Sequence, residues 1–253
     1  MLSKNKIKLI QSLNRKKTRD ESGFFLIEGN KMVEEAIRSE FEIELLVCTS
    51  EFANQHTGIG KRVKELIETD SESISKASLL QNPQNAMAIV GQPKLASPEI
   101  NLKDELCLAL DFIQDPGNLG TILRVADWYG INHIICSENT VDVFNPKVVQ
   151  ASMGAIFRIN VWITELSGFI KNTAINEIPV YGTFLEGKNI YQQTLSSNGI
   201  IVLGNEGNGI SDPISRLITQ KLYIPCFSTS ENKPESLNVA IAAAICCSEF
   251  RRR

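Results

Sequence analysis

The sequence predicts an α/β protein in which a small α/β/α domain precedes a larger domain built on a mainly parallel sheet with helices on both faces. Short apolar runs alternate with amphipathic helical stretches, the pattern of strands joined by helical crossovers. The run at 200–203 is apolar throughout, as strands buried on both faces are. Residues 92–104 hold two prolines and no strong period, which indicates a linker. We therefore expect domains at 1–95 and 105–253, with the linker at 96–104.

The first domain is expected to follow a β-α-β-α pattern. Ile7, Ile10 and Leu13 lie along one face of a helix over 4–18, and most of the lysines and arginines lie off that face. The other predicted elements are strands at 24–30, 43–49 and 85–93 and helices at 31–40, 60–69 and 71–80.

The second domain is expected to alternate strands and helices to its end. Pro116 and Gly117 form a turn after the first strand, and Asn118 is a candidate N-cap for the helix that follows. A last helix, rich in small residues, begins near Ser236. The remaining predicted elements are strands at 105–113, 131–139, 157–163, 179–185, 200–203 and 222–224 and helices at 146–155, 166–173 and 214–220.

Composition excludes several classes of function. Hydrophobic residues make up 43% of the chain, but no apolar run approaches the roughly 20 residues of a membrane helix. None of the six cysteines forms a CxxC pair, so buried free thiols in the reducing cytoplasm are expected rather than disulfides or zinc. Because His56 and His133 are far apart, a histidine metal site or a Ser/His/Asp triad is poorly supported. We expect no metal and no secretory signal.

Positive charge is concentrated at the N-terminus. Residues 1–19 contain seven lysines and arginines and no acid, so a chain of net charge −3 carries −10 on the rest. This distribution favours a local contact with a polyanion such as RNA. A solvated, partly frayed terminus explains the charge equally well. The candidate RNA-binding residues are Arg15, Lys16, Lys17 and Arg19.

Three stretches follow predicted strand ends, where ligands of α/β sheets bind. They are DFIQDPGNLG at 111–120, the glycine-rich turn GNEGNG at 204–209, and the segment that delivers Ser236 to a helix. Each alone fits a structural role as a turn or a cap. The glycines do not match a dinucleotide-binding fingerprint, which makes a nucleotide-binding enzyme of the doubly wound kind a weak alternative.

Together and in this order, the three stretches closely resemble the SpoU branch of the SPOUT RNA methyltransferases. The matching strings are DFIQDPGNLGTILRVADWYG, IVLGNEGNGIS and ESLNVAIAAAI, and NPKVVQASMGAIFRI also resembles the family. The first domain resembles the RNA substrate-binding domain that often precedes these enzymes and is itself similar to small ribosomal proteins. The resemblance implies a C-terminal trefoil knot, S-adenosylmethionine as cofactor, a homodimer, and methyl transfer to a ribose 2′-oxygen of RNA.

The resemblance also implies roles for individual residues. Arg124, six residues after Asn118 and expected in the second helical turn, would act near the 2′-hydroxyl, in its own subunit or across the dimer. Because an arginine stays protonated, we expect it to orient the phosphate and the hydroxyl rather than to act as a simple base. Asn118, Glu206, Ser236 and Asn238 would hold Arg124 and the substrate. The implied cofactor-binding residues are Thr183, Gly204, Asn205, Gly207, Ile224 and Leu237.

One segment departs from the family pattern. The residues between Pro225 and Ser236 are more numerous than is usual there and contain no glycine. This loop is expected to help wall the adenosine pocket, and its polar extension could cover the site or weaken cofactor binding. The expected function is methylation of 23S ribosomal RNA. The alternatives are therefore a non-catalytic RNA-binding or ribosome-assembly protein, or a methyltransferase that acts on transfer RNA.

Overall fold

The computed structural model describes residues 2–56, 58–93, 100–174, 177–230, 232 and 234–252. The described residues separate into two compact units: Met1–Lys94 with Asp142–Arg158, and Leu95–Val141 with Ile159–Arg253. Residues 142–158 therefore belong to the first unit, whereas the predicted division into consecutive segments places them in the second domain. Of the expected linker, residues 96–99 lie outside the described residues.

The first stretch of the chain contains helices and strands in mixed order. They are α1 (Lys4–Ser12), α2 (Lys16–Ser22), β1 (Phe24–Glu28), α3 (Asn30–Arg38), β2 (Ile43–Cys48), α4 (Ser50–Gln55), a 3-10 turn (Ile59–Lys61), β3 (Val63–Glu68), α5 (Ser71–Ala77) and β4 (Ala86–Gly91).

The second stretch alternates more regularly. Its elements are β5 (Leu106–Leu110), α6 (Pro116–Trp128), β6 (His133–Ser137), α7 (Pro146–Ser152), a 3-10 turn (Ala155–Phe157), β7 (Asn160–Thr164), α8 (Leu166–Ala174), β8 (Val180–Asn189), a 3-10 turn (Ile190–Gln192), β9 (Gly199–Leu203), α9 (Asp212–Ser215), β10 (Gln220–Tyr223) and α10 (Val239–Arg251).

The first unit is a mixed sheet between two helical layers. Its strand order is β1-β4-β2-β3, with β4 antiparallel to both neighbours and β3 parallel to β2. Leu26 and Met87 face a cluster that includes Ile10 of α1 and Ile74 of α5. Neighbouring strand residues point to opposite faces, so Phe25 covers the other side of the sheet. There its ring meets the rings of Phe144 and Phe157, which flank α7.

Two predictions for the first unit were wrong. The segment 60–69, expected as a helix, contains β3, which pairs in parallel with β2 from Val63 to Glu68. A six-residue edge strand is too short to show a clear apolar alternation in the sequence. Its partner, β2, lies about twenty residues earlier in the chain, so the pairing is not visible locally. The expected helix over 4–18 ends at Ser12 and restarts at Lys16, because Arg15 has an extended backbone.

The second unit confirms the parallel sheet with helices on both faces. Its order is β10-β8-β9-β5-β6-β7, and the pairings recorded between these strands are all parallel. Val180 packs with residues of α8 and α9 on one face. The next residue, Tyr181, meets Phe250 of α10 edge-on at 4.8 Å, so α10 lies on the other face. α6 packs beside α10.

Several boundaries in the second unit differ from expectation. The helix predicted at 214–220 is the short α9, and Gln220 already belongs to β10. The last helix is capped by Asn238, whose Oδ1 accepts from the N–H groups of Ala240 and Ile241 at 3.0 and 3.3 Å, so Ser236 precedes the cap. Among the described helices, none has the length and apolar character that crossing a bilayer requires.

The cysteines agree with the expectation of free thiols. Those at 48, 107, 136, 246 and 247 are buried, whereas Cys226 is exposed. Burial raises the pKa of Cys48 to about 11 and the pKa of Cys136 and of Cys247 to about 12. These buried thiols therefore stay protonated and unreactive at neutral pH.

Candidate active site

The candidate site lies at the carboxyl edge of the parallel sheet of the second unit. β5 and β9 end side by side, with Leu110 opposite Leu203, and the chain leaves them as the loops 111–115 and 204–211. Thr183 follows the β8 residue that pairs with Val202, so it stands at the same edge. Ile224 follows β10, the other neighbour of β8. Parallel strands thus bring segments that are distant in sequence to one edge of the sheet.

Asp115, not Asn118, caps the N-terminus of α6. Its Oδ1 accepts from the backbone N–H of Asn118 at 2.8 Å, and Pro116 occupies the first turn, where no amide hydrogen is needed. The prediction that Asn118 is the cap was wrong by one turn. The correction matters chemically, because it leaves the amide side chain of Asn118 available for other partners.

The side chain of Asn118 joins two other loops. Its Nδ2 donates to Oε1 of Glu206 at 2.8 Å, and its Oδ1 accepts from Nδ2 of Asn238 at 2.9 Å. These residues lie 88 and 120 positions further along the chain. Three of the five expected catalytic residues are therefore connected by hydrogen bonds, with Asn118 in the middle.

The glycine-rich turn forms a small closed loop. Asn205 and Gly209 exchange two backbone hydrogen bonds of 2.9 Å, and Gly209 has a φ of +69°. The Asn205 side chain accepts from the N–H groups of Gly207 and Asn208 and donates to the carbonyl of Phe112 at 2.9 Å. The predicted cofactor residue Asn205 is thus 8% exposed and braces the loop through its side chain.

Gly204 has no room for a side chain. A Cβ at this position would lie 2.2 Å from the carbonyl carbon of Gly209 and 2.3 Å from the nitrogen of Ile210. A Cβ on Gly207 would meet only Oδ1 of Asn205, at 3.6 Å. The first glycine is therefore required by the closure of the loop itself, and the second is not.

Two residues that hold the two loops together were not among the predicted site residues. Asp111 is 6% exposed, and its Oδ2 accepts from the backbone N–H of Ser211 at 2.7 Å. Phe112 has a φ of +61°, unusual for a residue with a large side chain, and its N–H donates to Oγ of Ser137 at 2.8 Å. An acid directly after a buried strand was the available signal for Asp111. Nothing local indicates the backbone of Phe112.

Ser236 and Arg124 stand outside the hydrogen-bonded group. Ser236 is exposed and forms no hydrogen bond with the other described residues. Arg124 is exposed in the third turn of α6, one turn later than expected, and it forms no recorded ion pair within the described part of the chain. Trp128, one turn further along, is 84% exposed. This strip of α6 is open for contacts with other molecules.

The expected cofactor residues vary in exposure around the edge. Thr183 is half-buried and its hydroxyl donates to the carbonyl of Val202 at 3.3 Å. Gly204 is buried, Ile224 is half-buried, and Leu237 is 50% exposed. This edge offers backbone groups, apolar side chains and the carboxylate of Glu206. The backbone groups and apolar side chains can bind an uncharged ring system. The carboxylate can stabilise a nearby positive charge.

The cationic residues of the first unit divide into two kinds. Lys16 and Lys17 are exposed on α2 and pair one turn later with Asp20 at 2.6 Å and Glu21 at 3.8 Å. Arg15 is exposed as well. Arg19, the fourth predicted RNA-binding residue, is buried.

Arg19 is therefore a correction to the predicted RNA-binding set. It is 1% exposed, forms an ion pair with Asp142, and donates to the carbonyl of Leu13 at 2.7 Å. Because a buried guanidinium must be paired, this arginine is committed to the interior of its unit. It ties residues 142–158 to α2.

Comparisons with known proteins cover both units of the chain. A model of the SpoU rRNA Methylase family matches residues 105–248, and a model of the MRM3-like substrate binding domain matches residues 4–88. The 23S rRNA (guanosine(2553)-2′-O)-methyltransferase RlmP of Bacillus subtilis is 32% identical over 246 residues, which are 95% of this chain and 93% of that protein.

Solved structures match over the full length. A structure from Porphyromonas gingivalis assigned to the TrmH family of RNA methyltransferases has a TM-score of 0.90 at 40% identity, covering 100% of this chain and 99% of that one. An AdoMet-bound rRNA methyltransferase from Sinorhizobium meliloti has a TM-score of 0.84 at 32% identity, covering 100% and 96%.

Proposed function

This chain belongs to the SpoU rRNA methylase family, and on that premise we propose that it is an S-adenosylmethionine-dependent RNA 2′-O-ribose methyltransferase acting on 23S ribosomal RNA. The observation that carries the proposal is the hydrogen-bonded group of Asn118, Glu206 and Asn238. A protein that only binds RNA has no need to join three distant loops at a strand edge. RlmP of Bacillus subtilis, similar over nearly its whole length, supports ribosomal RNA as the substrate.

The residues at the carboxyl edge fit S-adenosylmethionine. The closed loop 204–209 and the chain after β10 present backbone groups to an adenosine, with Thr183, Gly204, Asn205, Gly207, Ile224 and Leu237 as the proposed contacts. When bound, this cofactor supplies a methyl group on a positively charged sulfur. The carboxylate of Glu206 is exposed at this edge and held by Asn118, so it can stand near that charge.

The proposed chemistry needs orientation more than a strong catalytic group. The ribose 2′-oxygen would bond to the methyl carbon as the carbon–sulfur bond breaks, with the hydroxyl proton released to water, and this requires the hydroxyl to be held in line. Arg124 orients the adjacent phosphate and the hydroxyl, because a guanidinium donates several hydrogen bonds while keeping its charge. Asn118, Glu206, Ser236 and Asn238 position the substrate around it.

We also propose that the protein is a homodimer formed through α6 and α10. These helices pack together and expose Trp128 and Ile241, which are 84% and 51% accessible. Large exposed apolar groups on neighbouring helices are typical of an association surface. Arg124 lies one turn from Trp128, so this surface supports a site near the interface, served by one subunit or by both.

The remaining parts of the proposal concern threading and RNA capture. The placement of β10 beside β8, with α10 returning to pack against α6 and β9, supports a C-terminal trefoil knot. The N-terminal domain, residues 1–95, is proposed to bind RNA through Arg15, Lys16 and Lys17, whose charges face solvent. Action on ribosomal RNA implies a cytoplasmic protein.

Mapping of 2′-O-methyl groups in total RNA, with and without the gene, tests the function. We expect one position in 23S ribosomal RNA to lose its methyl group, restored by the wild-type gene but not by one encoding Arg124→Ala. A lost position in transfer RNA would change the substrate. If no position is lost and the purified protein shows no S-adenosylmethionine binding by calorimetry, the protein is an RNA-binding factor and the proposed activity is wrong.

A further inference from the structure

Two large apolar side chains are exposed to solvent near the carboxyl edge of the parallel sheet, one within β8 and one after β10. Phe227 is 82% exposed, and Leu185 is 71% exposed. Scattered exposed leucines are common on protein surfaces, but a fully presented phenylalanine beside a site is not explained by packing. Neither side chain belongs to the hydrogen-bonded group of Asn118, Glu206 and Asn238.

The strand register places Leu185 at the edge that carries the candidate site. Lys221 pairs with Gly182, whereas the next residue of β10, Leu222, pairs with Lys188, so residues 183–187 bulge out of the ladder. Leu185 is the middle residue of this bulge. The ring of Phe184 beside it is covered by Nζ of Lys221 at 4.7 Å, so Leu185 is left as the open apolar contact.

Phe227 is held to the same edge by chain length. It lies four residues after Tyr223, the last residue of β10, and so within about 14 Å of it. The far end of this connection is also anchored at the edge, because Asn238 donates to Asn118 at 2.9 Å. Phe227 is therefore within reach of the strand edge that carries the candidate site, on the side of β8 and β10.

The proposed reaction creates a need for such a side chain. A ribose whose base is stacked within folded RNA is not free to turn its 2′-hydroxyl into a protein cleft, so the nucleotide must leave its stack. An unstacked base needs a flat apolar surface, and aromatic side chains provide this contact in RNA-binding proteins.

We infer that Phe227 is a substrate-binding residue that stacks on an unstacked base of the RNA, at or next to the methylated nucleotide, with Leu185 completing the apolar rim. This inference rests on the proposed methyl transfer to RNA. It assigns a binding role to Phe227, which follows Pro225 in the described residues 226–230. The contact is made by an aromatic face, so it accepts a tryptophan or tyrosine and rejects an aliphatic side chain of similar volume.

The test compares Phe227→Ala, Phe227→Leu and Phe227→Trp with the wild-type protein in methyl transfer to 23S ribosomal RNA. We expect Phe227→Ala and Phe227→Leu to raise the KM for RNA by about 5- to 150-fold, the range of one lost base stack, while kcat at saturating RNA stays the same. Phe227→Trp should keep the wild-type KM. Ile163→Ala removes a 52% exposed apolar group on β7, at the opposite end of the sheet, and serves as the matched control.

Two further measurements separate the possible outcomes. Binding of S-adenosylmethionine should be equally tight in all variants, and a higher Kd with an unchanged KM for RNA would mean that Phe227 covers the cofactor, which overturns the inference. RNA should quench the fluorescence that Phe227→Trp adds to the wild-type emission. This quenching needs no methyl transfer, so it still tests stacking if the enzyme activity itself fails. Equal KM values for the alanine variant and the wild type would also overturn it.

Discussion

Asn118 shows at the scale of one residue how the site is specified. Its amide nitrogen donates to Glu206 and its amide oxygen accepts from Asn238, so both ends of a neutral, two-sided group are used. A carboxylate can only accept, and an aliphatic side chain can do neither. The residue type is therefore fixed by its two partners, although neither is near it in sequence.

Asn118→Asp should lower kcat on the order of 100-fold, because it places a second carboxylate against Glu206 and removes the donor. Steady-state methyl transfer measures this, with circular dichroism to verify folding. Glu206→Gln keeps an acceptor for Asn118 and is the gentler companion variant. A smaller loss in Asn118→Asp than in Glu206→Gln would mean that the bond between these side chains does not organise the site.

Arg124→Ala should abolish methyl transfer and leave the Kd for S-adenosylmethionine nearly unchanged, since its exposed side chain forms no hydrogen bond with the described loops proposed to hold the cofactor. Arg124→Lys should not restore activity, because an ammonium lacks the forked geometry of guanidinium. Single-turnover assays and calorimetry give the two quantities. Equal loss of both would contradict the role in orienting the ribose.

Glu28 is a buried carboxyl in the first unit, 6% exposed, which accepts from the hydroxyl of Ser78 and the N–H of Leu79. Burial raises its pKa above the ordinary 4.5, and the two hydrogen bonds oppose this only in part. The raised pKa means that its contribution to stability is complete below the ordinary value and is lost as pH rises through the folded-state value.

Glu28→Gln should therefore stabilise the protein at neutral pH, because the amide keeps an acceptor and never ionises. The difference in Tm between the variant and the wild type should shrink as the pH is lowered towards 4.5. Thermal unfolding at several pH values tests this. A difference that grows on acidification would show that the carboxylate is stabilised in the folded state.

At the scale of elements, the closed loop 204–209 is the part that other segments are built around. Asn205 of the loop donates a hydrogen bond to the carbonyl of Phe112, in the segment after β5. Asp111 of that same segment accepts a hydrogen bond from the N–H of Ser211, which follows the loop. Its tight closure leaves no volume at Gly204. We therefore expect the loop to act as a fixed support and not as a flexible glycine hinge.

Gly204→Ala should lower the free energy of unfolding by several kcal/mol or prevent soluble expression, since its Cβ would fall within backbone atoms of the loop. Gly207→Ala is the matched control for stability, because its Cβ has ordinary van der Waals space. Urea unfolding compares them. Similar stability for the two variants would show that the loop opens easily and that its closure is not required.

At the scale of the whole molecule, chain order and structural grouping differ. Residues 142–158 follow β6 in sequence, yet they pack on β1 and pair Asp142 with the buried Arg19. In the second unit, the candidate site likewise depends on residues far apart in the chain: Asn118 and Asn238, which are hydrogen-bonded, are 120 positions apart. On the surface of α6 and α10, Trp128 and Ile241 are exposed and are not covered by the other described residues.

Trp128→Glu should convert the protein from dimer to monomer and reduce methyl transfer, because a charge on an apolar association surface costs several kcal/mol. Analytical ultracentrifugation measures the state of association. Ile163→Glu, on the exposed edge of β7, is the control that should remain dimeric. A monomeric wild-type protein, or a dimeric Trp128→Glu, would contradict the proposed interface.

The sequence by itself determined the alternation of elements and the parallel sheet, and it indicated the three loops that we propose as the site, because apolar runs and turn residues report local burial and chain reversal. From the sequence, β3 was predicted as a helix, Asn118 as the N-cap of α6 and Arg19 as an RNA-binding residue. Those outcomes depend on partners elsewhere in the chain: β2 for β3, Asp115 and Glu206 for Asn118, and Asp142 for Arg19. Hydrogen bonds and ion pairs are satisfied by whichever group folding brings within reach, so only the tertiary structure decides them.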